Sequence, residues 1–270
     1  MRNIRKGDIV GRKSYGKDIY FKVVNIIEIK NEKVAILNGL FERIEADSLF
    51  SDLEIIPKNM VSERLEKTSK IIDKKIKINK YNYKRSYEKT VTGKILHLDG
   101  DRKYSEKSYN YYKKVGLNAT VKNIPEYKQP KVVNRLLEIY KPDILVVTGH
   151  DGMLKKGKKY NDIFNYRNSR YFIETVKEAR KYDKEKEEKL AIFAGACQSY
   201  FEALISAGAN FASSPARILI DFLDPLLVAE KVAITEKYRF ITIDDIAYEL
   251  RDGKNGVSGI GANGKLKKLI

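Results

Sequence analysis

The chain has 270 residues and a formal net charge of +17. That length suits one large domain or one medium and one small domain, and 43% apolar residues supply enough side chains for a core. No apolar run approaches the roughly 18 residues of a transmembrane helix, and the start lacks the apolar block of a signal peptide. The single cysteine excludes an internal disulfide and a multi-cysteine zinc site. We therefore expect a protein made inside the cell, with a reduced thiol, no membrane partner and no cofactor.

The positive charge first suggests nucleic-acid binding, because clustered lysines and arginines neutralise phosphates. A lysine-rich surface is also common in proteins from AT-rich genomes, and much of the excess charge lies within residues 58–90. We therefore expect no nucleic-acid partner, and a basic adaptor is kept as an alternative. The sequence leaves the oligomeric state open.

Residues 1–57 form the first predicted unit, a small all-β module. The predicted strands lie at 8–11, 20–29, 34–37 and 40–44. The pair Asn38-Gly39 between two apolar runs is typical of a hairpin turn. Short strands at this spacing predict a five-stranded β-barrel that resembles SH3-like modules.

Residues 58–90 and 91–270 form the second and third predicted units. Residues 58–90 are predicted to be a basic, partly helical linker that is exposed to solvent. In 91–270 apolar strands alternate with helices, which predicts an α/β domain whose mostly parallel sheet is flanked by helices. The predicted elements are strands at 94–98, 117–121, 144–149, 190–196 and 210–213, helices at 104–115, 129–140, 168–182 and 198–207, a loop at 155–159, and a last helix from Ser214-Pro215 to about Lys231.

Two apolar strands of the α/β domain each end in a reactive side chain. His150 follows the run 144–149, and Cys197 follows the run 190–196. In open α/β sheets, chemistry gathers beyond the carboxyl ends of parallel strands, so we expect these two side chains to lie side by side. A thiol nucleophile needs an imidazole for proton transfer. Cys197 also precedes a predicted helix, whose N-terminus would stabilise a thiolate.

The order of these residues excludes two classes of thiol enzyme. Papain-like proteases and class I glutamine amidotransferases need a histidine after the cysteine, and no histidine follows Cys197. The serine hydrolase motif G-x-S-x-G is absent. Residues 259–264 carry the letters of a dinucleotide-binding loop, but they lie too near the C-terminus for a βαβ unit. His97 is expected to have a structural role inside its strand.

A histidine that precedes a cysteine, each directly after an apolar strand, is the arrangement that remains. The interval between His150 and Cys197 is close to the roughly 50 residues found in caspases. The two blocks resemble those of the caspase-like clan of cysteine peptidases, which also includes legumains, clostripain, gingipains and separases. In that clan a glycine directly follows the histidine, whereas here Asp151 stands between His150 and Gly152. The resemblance covers about residues 91–230 and implies a caspase-like fold for this domain.

Nearly the whole chain resembles the YabG family of sporulation-specific peptidases of spore-forming Firmicutes. The resemblance is carried by residues 143–152 (DILVVTGHDG), 193–199 (FAGACQS) and 212–217 (ASSPAR), and by the Gly-Asp-Ile-Val start of the first module. It implies a cysteine endopeptidase whose protein substrates are spore-coat and germination-related proteins, with self-processing as an added possibility. It also implies synthesis in the cytoplasm of the sporulating cell and association with the spore coat.

The resemblance to the clan implies a role for each reactive group. Cys197 would attack the scissile carbonyl, and His150 would protonate the leaving amine. The oxyanion would be held by the amide of Cys197 and by that of Asp151 or Gly152, and the sequence leaves the choice between these two open.

The clan also implies where the residue before the scissile bond would bind. Asp99 and Asp101 stand at the end of the first strand of the domain, and Ser213 and Ser214 follow the strand after the cysteine. A carboxylate at the base of a pocket selects a basic side chain. We therefore expect cleavage after Arg or Lys, with Ser213 and Ser214 as a wall of the pocket.

Two other functions stay open at this point. One is a non-catalytic basic adaptor that binds nucleic acid or the spore surface, in which the cysteine and histidine are inert. The other is a non-peptidase thiol hydrolase, such as an amidase or acyltransferase, that uses Cys197 and His150 but rejects peptides.

Overall fold

The computed structural model describes residues 3–86, 90–154, 159–186 and 189–268. The predicted loop at 155–159 therefore lies almost wholly outside the described residues. Within the described ranges, no helix has the length and apolar character that a membrane crossing needs.

The N-terminal module is a five-stranded antiparallel sheet. Its strands are β1 (Ile9–Arg12), β2 (Phe21–Ile29), β3 (Glu32–Gly39), β4 (Glu45–Leu49) and β5 (Leu53–Ile55). They are arranged in the order β4-β3-β2-β1-β5. The edge strands β4 and β5, both fully described, do not pair with each other, so the sheet is open and is not a closed barrel.

The predicted hairpin at Asn38-Gly39 is wrong, because both residues lie within β3. A separate turn joins β2 to β3 at Lys30 and Asn31, with φ angles of 49° and 62°. Positive φ at both central residues is the requirement of the two-residue turn that best matches strand twist.

The strand predicted at 40–44 is also wrong. These residues leave the sheet as a bend, which the amide of Gly39 closes by donating to the carbonyl of Ile44 at 2.8 Å. A side chain on Gly39 would lie 2.3 Å from the carbonyl oxygen of Glu42, so the bend requires glycine at this position. We call residues 40–45 the inserted segment, because they reach into the α/β domain.

Residues 58–86 of the predicted linker form one helix, α1 (Lys58–Ser86). It packs on the α/β domain through Ile76, which is buried, and through Asn79, whose side-chain amide lies 3.0 Å from the hydroxyl of Tyr111. Around Ile76 and Asn79 the helix is therefore folded onto the domain. The division of the chain at 1–57, 58–90 and 91–270 stays a prediction.

The α/β domain is built on a six-stranded sheet. The strands that follow the N-terminal module are, in chain order, β6 (Thr90–Val91), β7 (Ile95–Asp99), β8 (Ala119–Asn123), β9 (Ile144–Thr148), β10 (Ala191–Ala194), β11 (Phe211–Ser213), β12 (Phe240–Ile241), β13 (Val257–Gly259), β14 (Ala262–Asn263) and β15 (Lys267–Lys268). The main sheet has the order β13-β11-β10-β9-β7-β8. Its strands are parallel except for β13, which runs antiparallel to β11.

Helices cover both faces of this sheet. They are α2 (Arg102–Val115), α3 (Gln129–Tyr140), α4 (Ser169–Lys186), α5 (Phe201–Ser206), α6 (Asp224–Ile234) and α7 (Gly253–Gly256). Helices α2 and α6 bury their apolar faces on one side, and α3, α4 and α5 on the other. The carboxyl ends of β7, β9 and β10 share one edge of the sheet, where ligands bind in folds of this type.

Two predicted helix starts are wrong. The helix predicted at 198 begins only at Phe201, and the helix predicted at Ser214 begins only at Asp224. Gln198 and Ser214 have φ angles of 58° and 63°, which a right-handed helix does not accept. The hydroxyl of Ser214 accepts a hydrogen bond from the amide of Gln198 at 3.1 Å. A tertiary contact therefore stabilises both loops.

Candidate active site

Loops from β9 and β10 meet at the carboxyl edge of the sheet. The hydroxyl of Ser199, just after Cys197, donates to the carboxylate of Asp151 at 2.8 Å. The blocks that carry the histidine and the cysteine are therefore in direct contact, as adjacent parallel strands require.

The backbone carbonyl of Arg43 lies between these two loops. It accepts hydrogen bonds from the amides of Cys197 and Asp151, each at 3.2 Å. Two backbone amides that converge on one carbonyl oxygen are the arrangement of donors that an oxyanion hole requires. The inserted segment thus places a peptide carbonyl between the histidine loop and the cysteine loop.

The side chain of Arg43 enters a pocket that we call the arginine pocket, formed by Asp99, Tyr104 and Phe222. It is fully buried, and its guanidinium pairs with the carboxylate of Asp99. The guanidinium carbon lies 4.5 Å from the ring centroid of Tyr104 and 5.7 Å from that of Phe222. Burial disfavours both charges, but each offsets the cost for its partner, so the pKa of Asp99 is lowered and that of Arg43 is raised.

The pairing of Arg43 inside the pocket is incomplete. Its Nε and Nη2 find no hydrogen-bond partner among the described residues. Unpaired buried donors destabilise a fold.

Cys197 is fully buried beneath the inserted segment. It belongs to an apolar cluster that includes Ile44 and Ile220. The sulfur accepts from the amide of Ile220 at 3.4 Å and faces its carbonyl at 3.8 Å. Burial raises the pKa of the thiol to about 12. The expected helix N-terminus is absent, because Cys197 lies in a turn ahead of α5.

His150 is also buried, with 2% of its surface exposed. Burial lowers the pKa of its imidazole, so the ring is neutral near pH 7. The ring packs edge-on against Tyr104 with centroids 5.7 Å apart. Its Nε2 has no hydrogen-bond partner among the described residues, which leaves this nitrogen available to a proton.

Glu126 holds the backbone of the histidine loop. Its Oε1 accepts from the amide of His150 at 2.8 Å. The carboxyl packs directly on the backbone of Gly100 and Gly149. A Cβ atom at either position would lie within about 2.2 Å of it. Burial raises the pKa of Glu126 to about 7.

The carboxylate of Asp151 ties the two loops together. It accepts from the amides of Gly152 and Asn168, at 2.9 and 2.8 Å, and from the hydroxyls of Ser169 and Ser199. The amide of Gly152 thus donates to the carboxylate of Asp151. Of the two amides, the one that donates to the carbonyl of Arg43 is that of Asp151.

The other predicted pocket residues, Asp101, Ser213 and Ser214, make hydrogen bonds within the loops around the site. Asp101 caps α2, with its carboxylate accepting from the amide of Tyr104 at 2.9 Å. Ser213 donates to the carbonyl of Ala196 at 2.8 Å, and Ser214 donates to the carbonyl of Ile218 at 2.7 Å. Both serines therefore support the loop of the cysteine, and among the described residues the side chain of Arg43 bonds to Asp99 and to neither serine.

Sequence reasoning missed Arg43, Glu126 and Ser169. Arg43 lies 56 positions before Asp99, inside the segment 40–44, whose sequence predicts a strand. No local sequence pattern indicates that its side chain pairs with Asp99. A sequence signal was available for Ser169, since Asn168-Ser169 at the start of a helix is a capping pattern. Among the described residues, no group of His, Cys, Asp and Glu side chains is arranged to hold a metal ion.

Comparison with known proteins places nearly the whole chain in one family. A family model described as YabG peptidase U57 matches residues 5–270. The sporulation-specific protease YabG of Bacillus subtilis is 38% identical over 97% of this chain and 96% of its own length. No solved structure matches. On these two similarities, the chain belongs to the YabG peptidase family.

Proposed function

We propose that this protein is a cysteine endopeptidase of sporulation that cleaves after arginine, and that its first substrate is its own Arg43–Ile44 bond. The observation that supports the proposal is the position of Arg43. Its carbonyl receives the amides of Cys197 and Asp151, while its side chain pairs with Asp99. This is the relation that a bound substrate would have to a nucleophile, an oxyanion hole and a specificity pocket.

The reaction begins with transfer of the thiol proton of Cys197 to the neutral imidazole of His150. The sulfur forms a bond to the carbonyl carbon of Arg43, and the carbonyl oxygen takes the negative charge. The two amides stabilise this oxyanion, and removing one such donor typically slows a reaction by about 10²–10³-fold.

Collapse of the intermediate breaks the bond between Arg43 and Ile44. The imidazolium of His150 gives its proton to the amine of Ile44, which leaves as a new N-terminus. Water then attacks the thioester, with the imidazole as general base, and releases the carboxylate of Arg43 and the thiol of Cys197.

The raised pKa of the thiol is compatible with this sequence. Burial by the inserted segment disfavours the thiolate, and it also lowers the pKa of His150. The resting pair is therefore neutral, and charge develops only during attack, where the amides oppose it. The sulfur must also leave its contacts with Ile220 to reach the carbonyl.

Preference for arginine over lysine follows from the arginine pocket. The charge of Asp99 selects a cation, and Thr148 holds this carboxylate by donating to it at 2.9 Å. A planar guanidinium can lie over the ring of Tyr104, whereas an ammonium is a compact, strongly hydrated charge.

The wider assignment rests on similarity. The name of the Bacillus subtilis relative supports a role in sporulation, and the resemblance noted in the sequence supports spore-coat and germination-related proteins as substrates. The order of parallel strands and the positions of the cysteine and histidine are compatible with a caspase-like domain, and the open N-terminal sheet with a relative of SH3-like modules.

The test is to express the full chain by cell-free translation with Arg, Lys or Gln at position 43 and to follow its length. We expect rapid cleavage for Arg43, slower cleavage for Arg43→Lys, and none for Arg43→Gln. An adaptor would leave every version intact. A non-peptidase thiol hydrolase would also leave them intact, but it would hydrolyse a small ester in a manner that requires Cys197. Either result would overturn the proposal.

A further inference from the structure

The chain beyond the Arg43–Ile44 bond lies along the histidine loop. Ile44 forms a parallel bridge with Asp151, and the amide of Glu45 donates to the carbonyl of Asp151 at 2.8 Å. A side chain at Gly152 would lie 2.3 Å from the carbonyl oxygen of Glu45. Glycine at this position therefore lets the backbone after the scissile bond approach the loop.

One basic side chain faces the acidic groups of this stretch. The guanidinium of Arg167 contacts the carboxylate of Asp47, and its Nη1 lies 3.7 Å from the carboxylate of Glu45. The backbone amide of Arg167 donates to the carbonyl of Gly152 at 3.1 Å. The same loop that supplies the oxyanion hole thus positions this cation.

Burial strengthens the contact with Glu45. Burial raises the pKa of this carboxyl, and Arg167 and Asn168 oppose that rise. The side-chain amide of Asn168 lies 3.3 Å from the carboxylate and 2.9 Å from the carbonyl of His150. Only 13% of the side-chain surface of Arg167 is exposed, so solvent screens this pair less than an exposed one.

An open cavity of about 260 Å³ adjoins these residues. Its lining includes Arg167, Glu45 and Asp47 from the contact just described, together with Met153 and Gln198. The space beside the guanidinium therefore extends beyond the side chains that now fill it.

We propose that Arg167 is a specificity-determining residue, which selects substrates with acidic side chains at the second and fourth positions after the scissile bond. The inference rests on the proposed function, because it takes residues 44–47 as the substrate strand. The substrate class is then an arginine followed by an acidic stretch, as in Arg43-Ile-Glu-Ala-Asp47.

The test is a double-mutant cycle on self-cleavage of the full chain in cell-free translation. One variant carries Glu45→Gln and Asp47→Asn, a second carries Arg167→Gln, and a third carries both sets. We expect the acidic-side variant to be cleaved about tenfold more slowly than the wild type. In the Arg167→Gln background, the same two changes should have no further effect, because the cation that they face is gone.

Exchanging the charges of the two partners shows whether a slow variant has lost the interaction or has failed to fold. The chain with Arg167→Glu should be cleaved at least about tenfold more slowly, and adding Glu45→Lys and Asp47→Lys should restore most of the rate. Melting temperatures of the same variants, measured in a Cys197→Ala background, show whether Arg167 only stabilises the fold. If its role were only structural, the variants would have a lower melting temperature, but their folded molecules would be cleaved at the wild-type rate.

The outcomes distinguish this inference from the proposed function. If the wild-type chain is not cleaved at Arg43–Ile44, the proposed function is wrong and this inference fails with it. If the wild type is cleaved, and the variants with neutral residues at 45 and 47 are cleaved equally fast, the inference alone is wrong. The same holds if Arg167→Glu with the two lysines is no faster than Arg167→Glu by itself.

Discussion

The backbone amide of Cys197 donates to the backbone carbonyl of Arg43 at 3.2 Å. This bond places the lone cysteine of the chain against a peptide carbonyl of its own N-terminal module. The sulfur is buried in an apolar cluster that contains Ile44 of the inserted segment, other side chains of the N-terminal module and Ile220. The bond also makes each part of the proposed chemistry testable in a single chain.

The first prediction concerns the base of the arginine pocket. Asp99→Asn should slow self-cleavage by at least about 100-fold, because an unpaired buried guanidinium typically costs 3–5 kcal/mol and would drive Arg43 out of the site. Asp101→Asn is the matched control. Asp101 caps α2, a role that asparagine can also fill, and we expect less than a tenfold effect. The rates are measured from the decay of full-length chain after synthesis.

Equal rates for Asp99→Asn and the wild type would show that the pocket does not select the arginine. A larger effect for Asp101→Asn than for Asp99→Asn would move the selecting charge to the other carboxylate.

The second prediction concerns the fate of the two fragments. Cleavage at Arg43–Ile44 leaves β1, β2 and β3 in one fragment, and β4 and β5 in the other. In the sheet, β3 pairs with β4 and β1 pairs with β5, so both edges of the small fragment are paired with strands of the large one. We expect the fragments to co-elute in size-exclusion chromatography and to separate only in denaturant.

Retention would also leave the new carboxylate of Arg43 beside the site. Elution of the fragment 1–43 by itself, without denaturant, would contradict this prediction. It would show that the sheet does not hold once the chain is cut.

The third prediction concerns the reactivity of the thiol. With a pKa of about 12 and no exposed surface, Cys197 should react slowly with iodoacetamide at pH 8. The measurement uses a His150→Ala chain, which should remain uncut. Adding Arg43→Gln removes the ion pair that holds the segment in place, so labelling should become at least tenfold faster as local opening is favoured.

Mass spectrometry after a short pulse gives the labelled fraction in both chains. Rapid labelling of the His150→Ala chain, at the rate of a free thiol, would show that the segment does not cover the sulfur. Equal labelling with and without Arg43→Gln would show that the ion pair does not hold it there.

The fourth prediction concerns pH and Glu126. Burial raises its pKa from 4.5 to about 7 in the folded chain. Below about pH 4.5 both folded and unfolded chains keep the proton, so the stabilisation is fully present. As pH rises towards 7 the unfolded chain releases its proton first, and the free energy of unfolding falls by on the order of 3 kcal/mol.

Glu126→Gln keeps the acceptor for the amide of His150 and removes the titration. The variant should therefore lose less stability than the wild type between pH 4.5 and 7, as measured by urea unfolding at several pH values. Glu138→Gln, at an exposed position of α3, is the control and should follow the wild type. A parallel pH dependence for Glu126→Gln and the wild type would contradict the assignment.

Much of the α/β domain is predictable from local pattern. The bounds of α3 are those predicted, Gln129–Tyr140, because its apolar period is regular and a proline stands in its first turn. The strands that end before His150 and Cys197 are buried on both faces, so they carry the continuous apolar runs of a parallel sheet.

The errors have tertiary causes. At Gln198 and Ser214 the sequence favours helix starts, but each residue has a positive φ that its partner across the loop stabilises. Residues 40–44 have the composition of a strand, yet their partners are the distant groups Asp99 and Cys197. No window of neighbouring residues contains that information.

The most direct test of the account is the intact mass of the full chain after folding, beside that of its Cys197→Ala variant. The account predicts that the wild type is split into fragments 1–43 and 44–270, with Ile44 as the new N-terminus, at a rate independent of protein concentration. The Cys197→Ala chain should remain whole. A wild-type chain that stays intact, or a Cys197→Ala chain that is cut at the same bond, would contradict it.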